Sequence, residues 1–148
     1  MIPAAFDYVR ADSAEAALAA LAQHGDEAKL LAGGHSLIPL MRFRLATPSV
    51  LIDVGQLNGD LRGITVADDE VRIGALTRHS ELEHSTELAV ACPMVAHVAS
   101  LVGDPSVRHR GTLGGSLAHA DPASDLPAAV LALDGTLIAT GPAGQREI

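Results

Sequence analysis

Residues 30–54 read LLAGGHSLIPLMRFRLATPSVLIDV, and this stretch decides the fold. It opens inside a short apolar strand, Ala28-Lys29-Leu30-Leu31-Ala32, which runs straight into Gly33-Gly34-His35-Ser36. Leu37 to Arg44, with Pro39 inside it, predicts a short helix with a basic end. Val50-Leu51-Ile52-Asp53-Val54 is a continuous apolar run of strand length and predicts a second, buried strand. Glycine has no Cβ, so the main chain at Gly33-Gly34 is free to approach a ligand and to take positive φ. Successive N–H groups in such a turn form an anion-binding concavity. Ser36 stands where the following helix starts and adds a hydroxyl.

Upstream, Asp12 and Glu15 fit a capping box, with Ser13 as the alternative cap. Ala14, Leu18, Leu21 and Ala22 recur at helical spacing, and Gly25 suits the end of that helix. Downstream of Leu61 the period changes to two. Ile64 and Val66, then Val71 and Ile73, alternate with polar residues across Asp68-Asp69 and predict a hairpin. Thr77 is expected to cap a short helix ending near His84. A second helix, Pro93 to Val102, is expected to bury Met94, Val95, Val98, Leu101 and Val102. Gly103 to Leu126 reads as a long irregular stretch, followed by a helix over Pro127–Leu133 and a strand over Thr136–Ala139. A soft boundary falls near Gly55–Gly59, where strand–helix alternation gives way to the hairpin.

The irregular stretch carries a second glycine loop, Gly111-Thr112-Leu113-Gly114-Gly115-Ser116. One such loop suits a phosphate; two suit the halves of a pyrophosphate. Taken alone, a strand–Gly–Gly turn is often only a tight turn. Neither loop is followed by the Lys of a nucleotide triphosphatase, and neither has the spacing of a Rossmann fingerprint. Anion neutralisation then falls to amides and hydroxyls, with Arg108 and Arg110 nearby. If the glycines clear space for a phosphate, Gly33→Val or Gly114→Val is expected to abolish binding and leave the fold mostly intact.

His119, Asp121 and Asp125 follow the second loop closely enough to suggest a metal site. Carboxylates placed there more often cap a helix, and Asp125, two residues before Pro127, suits a first helical turn. An acceptor for a sugar hydroxyl is the other use for such an acid. His24, His79 and His84 are expected at the surface, His97 as a satisfied core histidine, and Cys92 as a buried, inert thiol. No Ser/His/Asp triad follows from the spacing.

Composition narrows the function. At 148 residues one domain is the default, since domains run to roughly 100–200 residues. Asp and Glu number 18 against 10 Lys and Arg, a net charge of −8, so nucleic acid is disfavoured as a partner. The one cysteine is too few for an iron–sulfur cluster, a structural zinc or an internal disulfide. Trp is absent and Phe6, Tyr8 and Phe43 are the aromatics, which disfavours base stacking. MIPAAFDYVR lacks a signal-peptide pattern, and the apolar run Leu88–Val102 is interrupted by Pro93, His97 and Ser100. The expectation is a cytoplasmic protein with no membrane span.

Together, residues 30–54 and the string GDPSVRHRGTLGGSLAHADPASDLPAA (residues 103–129) closely resemble the FAD-binding medium subunit of molybdenum hydroxylases, the family of carbon monoxide dehydrogenase and xanthine dehydrogenase. The resemblance covers essentially the whole chain. It implies an α+β fold of the p-cresol methylhydroxylase flavin type, with FAD pinched between two α+β lobes, 1–55 and 56–148. It implies one set of FAD contacts from Ala32, Gly33, Gly34, His35 and Ser36, and a second from Thr112, Leu113, Gly114, Gly115 and Ser116. Asp125 matches an acid that helps hold the dinucleotide. The family continues past the point matching Ile148 into more flavin domain and a C-terminal domain, so a fragment or a truncated product is expected here, with the second lobe incomplete and the isolated chain inactive. The implied role is an FAD-dependent oxidoreductase subunit that passes electrons from an iron–sulfur small subunit, beside a molybdenum-cofactor large subunit, to an external acceptor. The alternatives are a non-catalytic dinucleotide-binding or regulatory module and a ligand-free remnant.

Overall fold

The computed structural model describes residues 2–57, 59–67 and 69–148. Met1, Asn58 of the expected boundary and Asp68 of the expected turn lie outside them. The architecture is α+β. Three strands, β1 (Asp7–Arg10), β2 (Ala28–Leu31) and β3 (Val50–Asp53), form a parallel sheet in the order β1-β3-β2. Leu51 stands opposite both Tyr8 and Lys29. The central strand is the apolar one, because it is paired on both edges and covered. Val50, Leu51 and Ile52 are all buried, with Ile52 at 0% exposure. α1 (Ala14–His24) connects β1 to β2 and packs on the sheet. Its cap is Ser13, whose side chain accepts from the Ala16 N–H. α2 (Leu37–Arg42) follows the first glycine loop and leads back to β3. The sheet and α1 enclose a core of Ala11, Ala17, Ala28, Val50, Ile52 and Val54, which Leu57 and Leu76 complete.

β4 (Ile64–Val66) and β5 (Val71–Ile73) form the expected antiparallel hairpin, with Ile64 opposite Ile73. Then come α3 (His79–His84), α4 (Thr86–Ala91), α5 (Pro93–Leu101), α6 (Pro105–Arg108), α7 (Leu113–His119) and α8 (Asp125–Ala132). These helices enclose a second core of Leu82, Leu88, Val95, Ala96, Ala99, Leu113 and Leu126. A final hairpin, β6 (Ile138–Gly141) and β7 (Gly144–Glu147), follows.

Several expectations are corrected. The stretch Gly103–Leu126 is not irregular, since it holds α6 and α7, and both of the second loop's paired glycines lie in the first turn of α7. Thr77 does not cap α3. It is buried, and its hydroxyl accepts from the Gly63 N–H (2.9 Å) and donates to the Gly63 carbonyl (3.0 Å). Arg78 occupies the cap position instead, and its N–H donates to the Glu81 carboxylate. His79 is buried and His97 is exposed, the reverse of the expected placement. Cys92 is half-buried. Met94 and Leu101 are exposed, so α5 buries the narrower face of Val95, Ala96 and Ala99. The last strand starts two residues later than expected, and β7 pairs with it.

Candidate functional site

The parallel sheet delivers the first glycine loop. β2 ends at Leu31, whose carbonyl accepts from the Val54 N–H, and the chain then leaves the sheet through Ala32–Ser36. Gly34 has φ of 81°, a conformation that costs a side-chain-bearing residue energy. Among the described residues, the N–H groups of Gly33, Gly34, His35, Ser36 and Leu37 donate to no acceptor. Ser36 occupies the cap position of α2, yet its side chain makes no cap hydrogen bond. The loop therefore holds a run of uncommitted donors, and His35 stands exposed on it.

The second loop is built differently. Thr112 caps α7, accepting from the Gly115 N–H (3.2 Å). The Leu113 N–H donates to the Thr77 carbonyl (3.0 Å), the Gly114 N–H to the Ala75 carbonyl (2.8 Å), and the Ser116 N–H to the Thr112 carbonyl (3.0 Å). The amides of this loop are thus spent inside the fold, and Thr112 and Leu113 are buried. What it offers outward is the Ser116 hydroxyl. That hydroxyl lies 3.2 Å from Nε2 of His79, a ring at 3% exposure whose Nδ1 has no partner. Burial pushes the His79 pKa below the ordinary histidine value; the nearby main chain of Thr112, too loosely placed to make a hydrogen bond with the ring, opposes this and the charge of His35 reinforces it.

The two loops meet. A Cβ on Gly33 would lie 2.0 Å from the Arg110 carbonyl oxygen and 3.1 Å from the Cα of Gly111. Beside this junction lies a cleft of about 280 Å³. His35 and Ser36 line it from the first loop, and Pro39, Leu40 and Phe43 from α2 and its end. Ser116 and His119 of α7, with Asp121 and Ser124 before α8, form the remaining wall. Ser124, like Ser36, sits at a helix cap position without capping. The cleft thus sets an apolar wall carrying an exposed ring beside a set of hydroxyls and amides. At about 280 Å³ it is just under the roughly 300–1,000 Å³ of small-molecule sites, so it is sized for one part of a large ligand. A larger hollow of about 550 Å³ around Lys29 and Leu45–Ser49 draws on neither loop.

Of the residues singled out from sequence, His35, Ser36 and Ser116 line the cleft. Ala32, Gly33 and Gly34 lead into it; Thr112, Leu113, Gly114 and Gly115 set the course of α7; Asp125, exposed, opens α8 beside Ser124. Arg108 is not free for an anion, because it is tied to Glu83 (2.7 Å) and the Val102 carbonyl (3.2 Å). No group of His, Cys, Asp and Glu able to hold a metal occurs among the described residues. The space-clearing role expected of Gly33 and Gly114 is also corrected. A Cβ at Gly114 would meet Ala75 at 2.5 Å, so both glycines admit neighbouring protein rather than a ligand. Sequence reasoning missed the place of Phe43, the one aromatic lining the cleft among the described residues, and the burial of His79. Phe43 was legible as an aromatic in a basic turn; His79 carried no signal. No described helix is long and apolar enough to cross a membrane.

Residues 4–148 match the family described as the FAD binding domain in molybdopterin dehydrogenase. The chain is 47% identical, over its full length, to the 6-hydroxypseudooxynicotine dehydrogenase complex subunit alpha of Paenarthrobacter nicotinovorans, of which it covers 50%. It is 43% identical over its full length to the carbon monoxide dehydrogenase medium chain of Hydrogenophaga pseudoflava and covers 51% of it. A solved structure of the carbon monoxide dehydrogenase of that organism, lacking the Mo-pyranopterin moiety of its cofactor, superposes on all of the chain and 51% of its own, with a TM-score of 0.96 at 44% identity. The chain spans about half the length of the curated relatives it matches.

Proposed function

Because the chain belongs to the family of FAD binding domains in molybdopterin dehydrogenases, we propose that it serves a molybdenum hydroxylase as the FAD-holding part of a flavoprotein subunit. FAD is the cofactor of this family. Bound FAD supplies the electron-carrying chemistry; the protein supplies binding, orientation and electrostatics. In the proposal the complex works in the cytoplasm. Electrons arrive from an iron–sulfur small subunit, beside a molybdenum-cofactor large subunit, and leave to an external acceptor; the isolated chain is inactive. One cysteine leaves no way to house the clusters on this chain, which supports a partner that carries them.

One observation carries the reading: residues from both glycine loops, His35, Ser36 and Ser116, line a single cleft. The donor set fits a dinucleotide. The amides from Gly33 to Leu37 and the Ser36 hydroxyl suit a diphosphate, Ser124 and the carboxylates of Asp121 and Asp125 suit sugar hydroxyls, and Phe43 suits a planar ring. Ala32, Gly33 and Gly34 bring the main chain to the ligand. Thr112, Leu113, Gly114 and Gly115 act with it by holding α7 where Ser116 reaches the cleft. We further propose lobes 1–55 and 56–148, in keeping with the two hydrophobic cores, although Leu57 and Leu76 lend their side chains to the first.

The test is titration of the purified chain with FAD, followed by flavin fluorescence, with NAD as the control dinucleotide. Saturable binding of FAD and not NAD is expected. A folded chain that binds neither refutes the reading. Co-expression with the neighbouring reading frames tests the complex, and failure of all of them to co-purify removes that part.

A further inference from the structure

We propose that His79 is a positioning residue of the cofactor cleft, fixing the Ser116 hydroxyl on the cleft wall through its Nε2. The inference rests on the reading of the cleft as an FAD site. Ser116 Oγ has His79 as its hydrogen-bond partner among the described residues, so the ring alone restrains the rotor. The ring is itself confined by its neighbours. The main-chain N–H of His79 donates to the Gly111 carbonyl (3.0 Å), which fixes the backbone from which the ring projects, and Gly111 lies against the imidazole, where a Cβ would come 2.7 Å from Cε1 and 2.9 Å from Nδ1.

Packing alone does not account for a histidine here. The side chain is 3% exposed and its Nδ1 is unpaired, and a buried polar atom without a partner costs free energy that an apolar ring of similar size avoids. The polar edge that is paired points to the one hydroxyl the second loop presents to the cleft. A hydroxyl locked before the ligand arrives loses little rotational freedom on binding, and this is how a residue that never touches the cofactor contributes to its affinity.

The test compares FAD dissociation constants, by flavin fluorescence, for the full-length chain and its variants, with melting temperature measured alongside. His79→Phe and Ser116→Ala are each expected to weaken FAD binding about threefold to tenfold, the range of one net hydrogen bond. The double variant is expected to be no weaker than the worse single one, because both remove the same interaction. His79→Gln, whose amide nitrogen reaches toward the Nε2 position, is expected to stay within about twofold of wild type, whereas His79→Asn, whose amide sits near Nδ1, is expected to fall with His79→Phe. The Gln and Asn pair keeps the test decisive even if His79→Phe does not fold. Single effects that multiply in the double variant, or Gln and Asn variants that differ from wild type only in melting temperature, overturn the inference while leaving the FAD reading intact. A folded wild-type chain without saturable FAD binding overturns both.

Discussion

Gly33→Ala tests the junction of the two glycine loops with one methyl group. The added Cβ would stand 2.0 Å from the Arg110 carbonyl oxygen and 2.8 Å from its carbonyl carbon. Both are main-chain atoms, so no rotamer change relieves the clash. Reaching an ordinary carbon–oxygen contact requires the loops to part by more than an ångström. Overpacking of this kind costs about 1–3 kcal/mol, and at this chain length each kcal/mol lowers the melting temperature by about 2–4 °C. A loss of about 2–12 °C without FAD is therefore expected, together with weaker FAD binding, because the amides from Gly33 to Leu37 move with the loop. Gly25→Ala is the control. Its φ of 56° carries backbone strain, but nothing lies within 4 Å of the new methyl, so FAD affinity should hold. Thermal melting of both variants, with and without FAD, decides the matter. If Gly33→Ala melts with wild type in the absence of FAD yet fails to bind it, the glycine clears space for ligand and the junction argument is wrong.

Ile52→Ala, at the fully buried centre of β3, is expected to cost about 2–5 kcal/mol in urea unfolding, and a loss below 1 kcal/mol would show that the sheet collapses around the cavity. Burial holds the His79 pKa below the ordinary value of about 6.5, so in acid the unfolded chain takes up a proton that the folded chain resists. Stability is then full above that ordinary value and falls as pH drops from it toward the folded value. Urea midpoints at about pH 7.5 and 5.5 should show a smaller acid loss in His79→Gln than in wild type, and equal losses would refute the assignment.

Residues 28–54 are legible because their signals are local: an apolar run, a paired glycine, a short helix and a second apolar run. β1 is not legible, since Asp7-Tyr8-Val9-Arg10 has no apolar pattern. It exists through parallel pairing with β3 and a hydrogen bond from the Tyr8 hydroxyl to Asp53. α7 is hidden for the opposite reason. Two adjacent glycines oppose a helix by roughly 1 kcal/mol each, but Thr112 caps the first turn and Gly114 lets it lie against Ala75. His79 follows Arg78 and begins the polar run His79-Ser80-Glu81, which reads as surface. Residues far along the chain cover it, with Gly111, 32 positions on, against the imidazole and Ser116 at its Nε2. Cleft-lining Ser36 and Ser116 could be found beforehand because glycine loops announce themselves. The wall from Pro39 to Phe43 could not, because its position depends on α2 being set across the cleft from α7.

The two glycine pairs look alike in sequence and act differently, and the difference fixes how the site handles charge. Gly33-Gly34 leaves amides uncommitted, whereas Gly114-Gly115 commits its own and delivers one hydroxyl. Among the described residues neither Lys nor Arg lines the cleft, Arg108 is held by Glu83, and Asp121 stands on the wall of a chain with net charge −8. An anion held here is held by fixed dipoles at contact range. Salt screens such contacts far less than it screens separated charges, for which the Debye length is about 10 Å at 0.1 M. Raising sodium chloride from about 0.05 M to about 0.5 M should therefore change the FAD dissociation constant by about twofold or less, and screening of Asp121 pushes toward tighter binding. A site that depended on Arg110 or another guanidinium reaching the diphosphate would lose affinity steeply over that range. A loss of about tenfold or more would place a cation in the site and refute the dipole account.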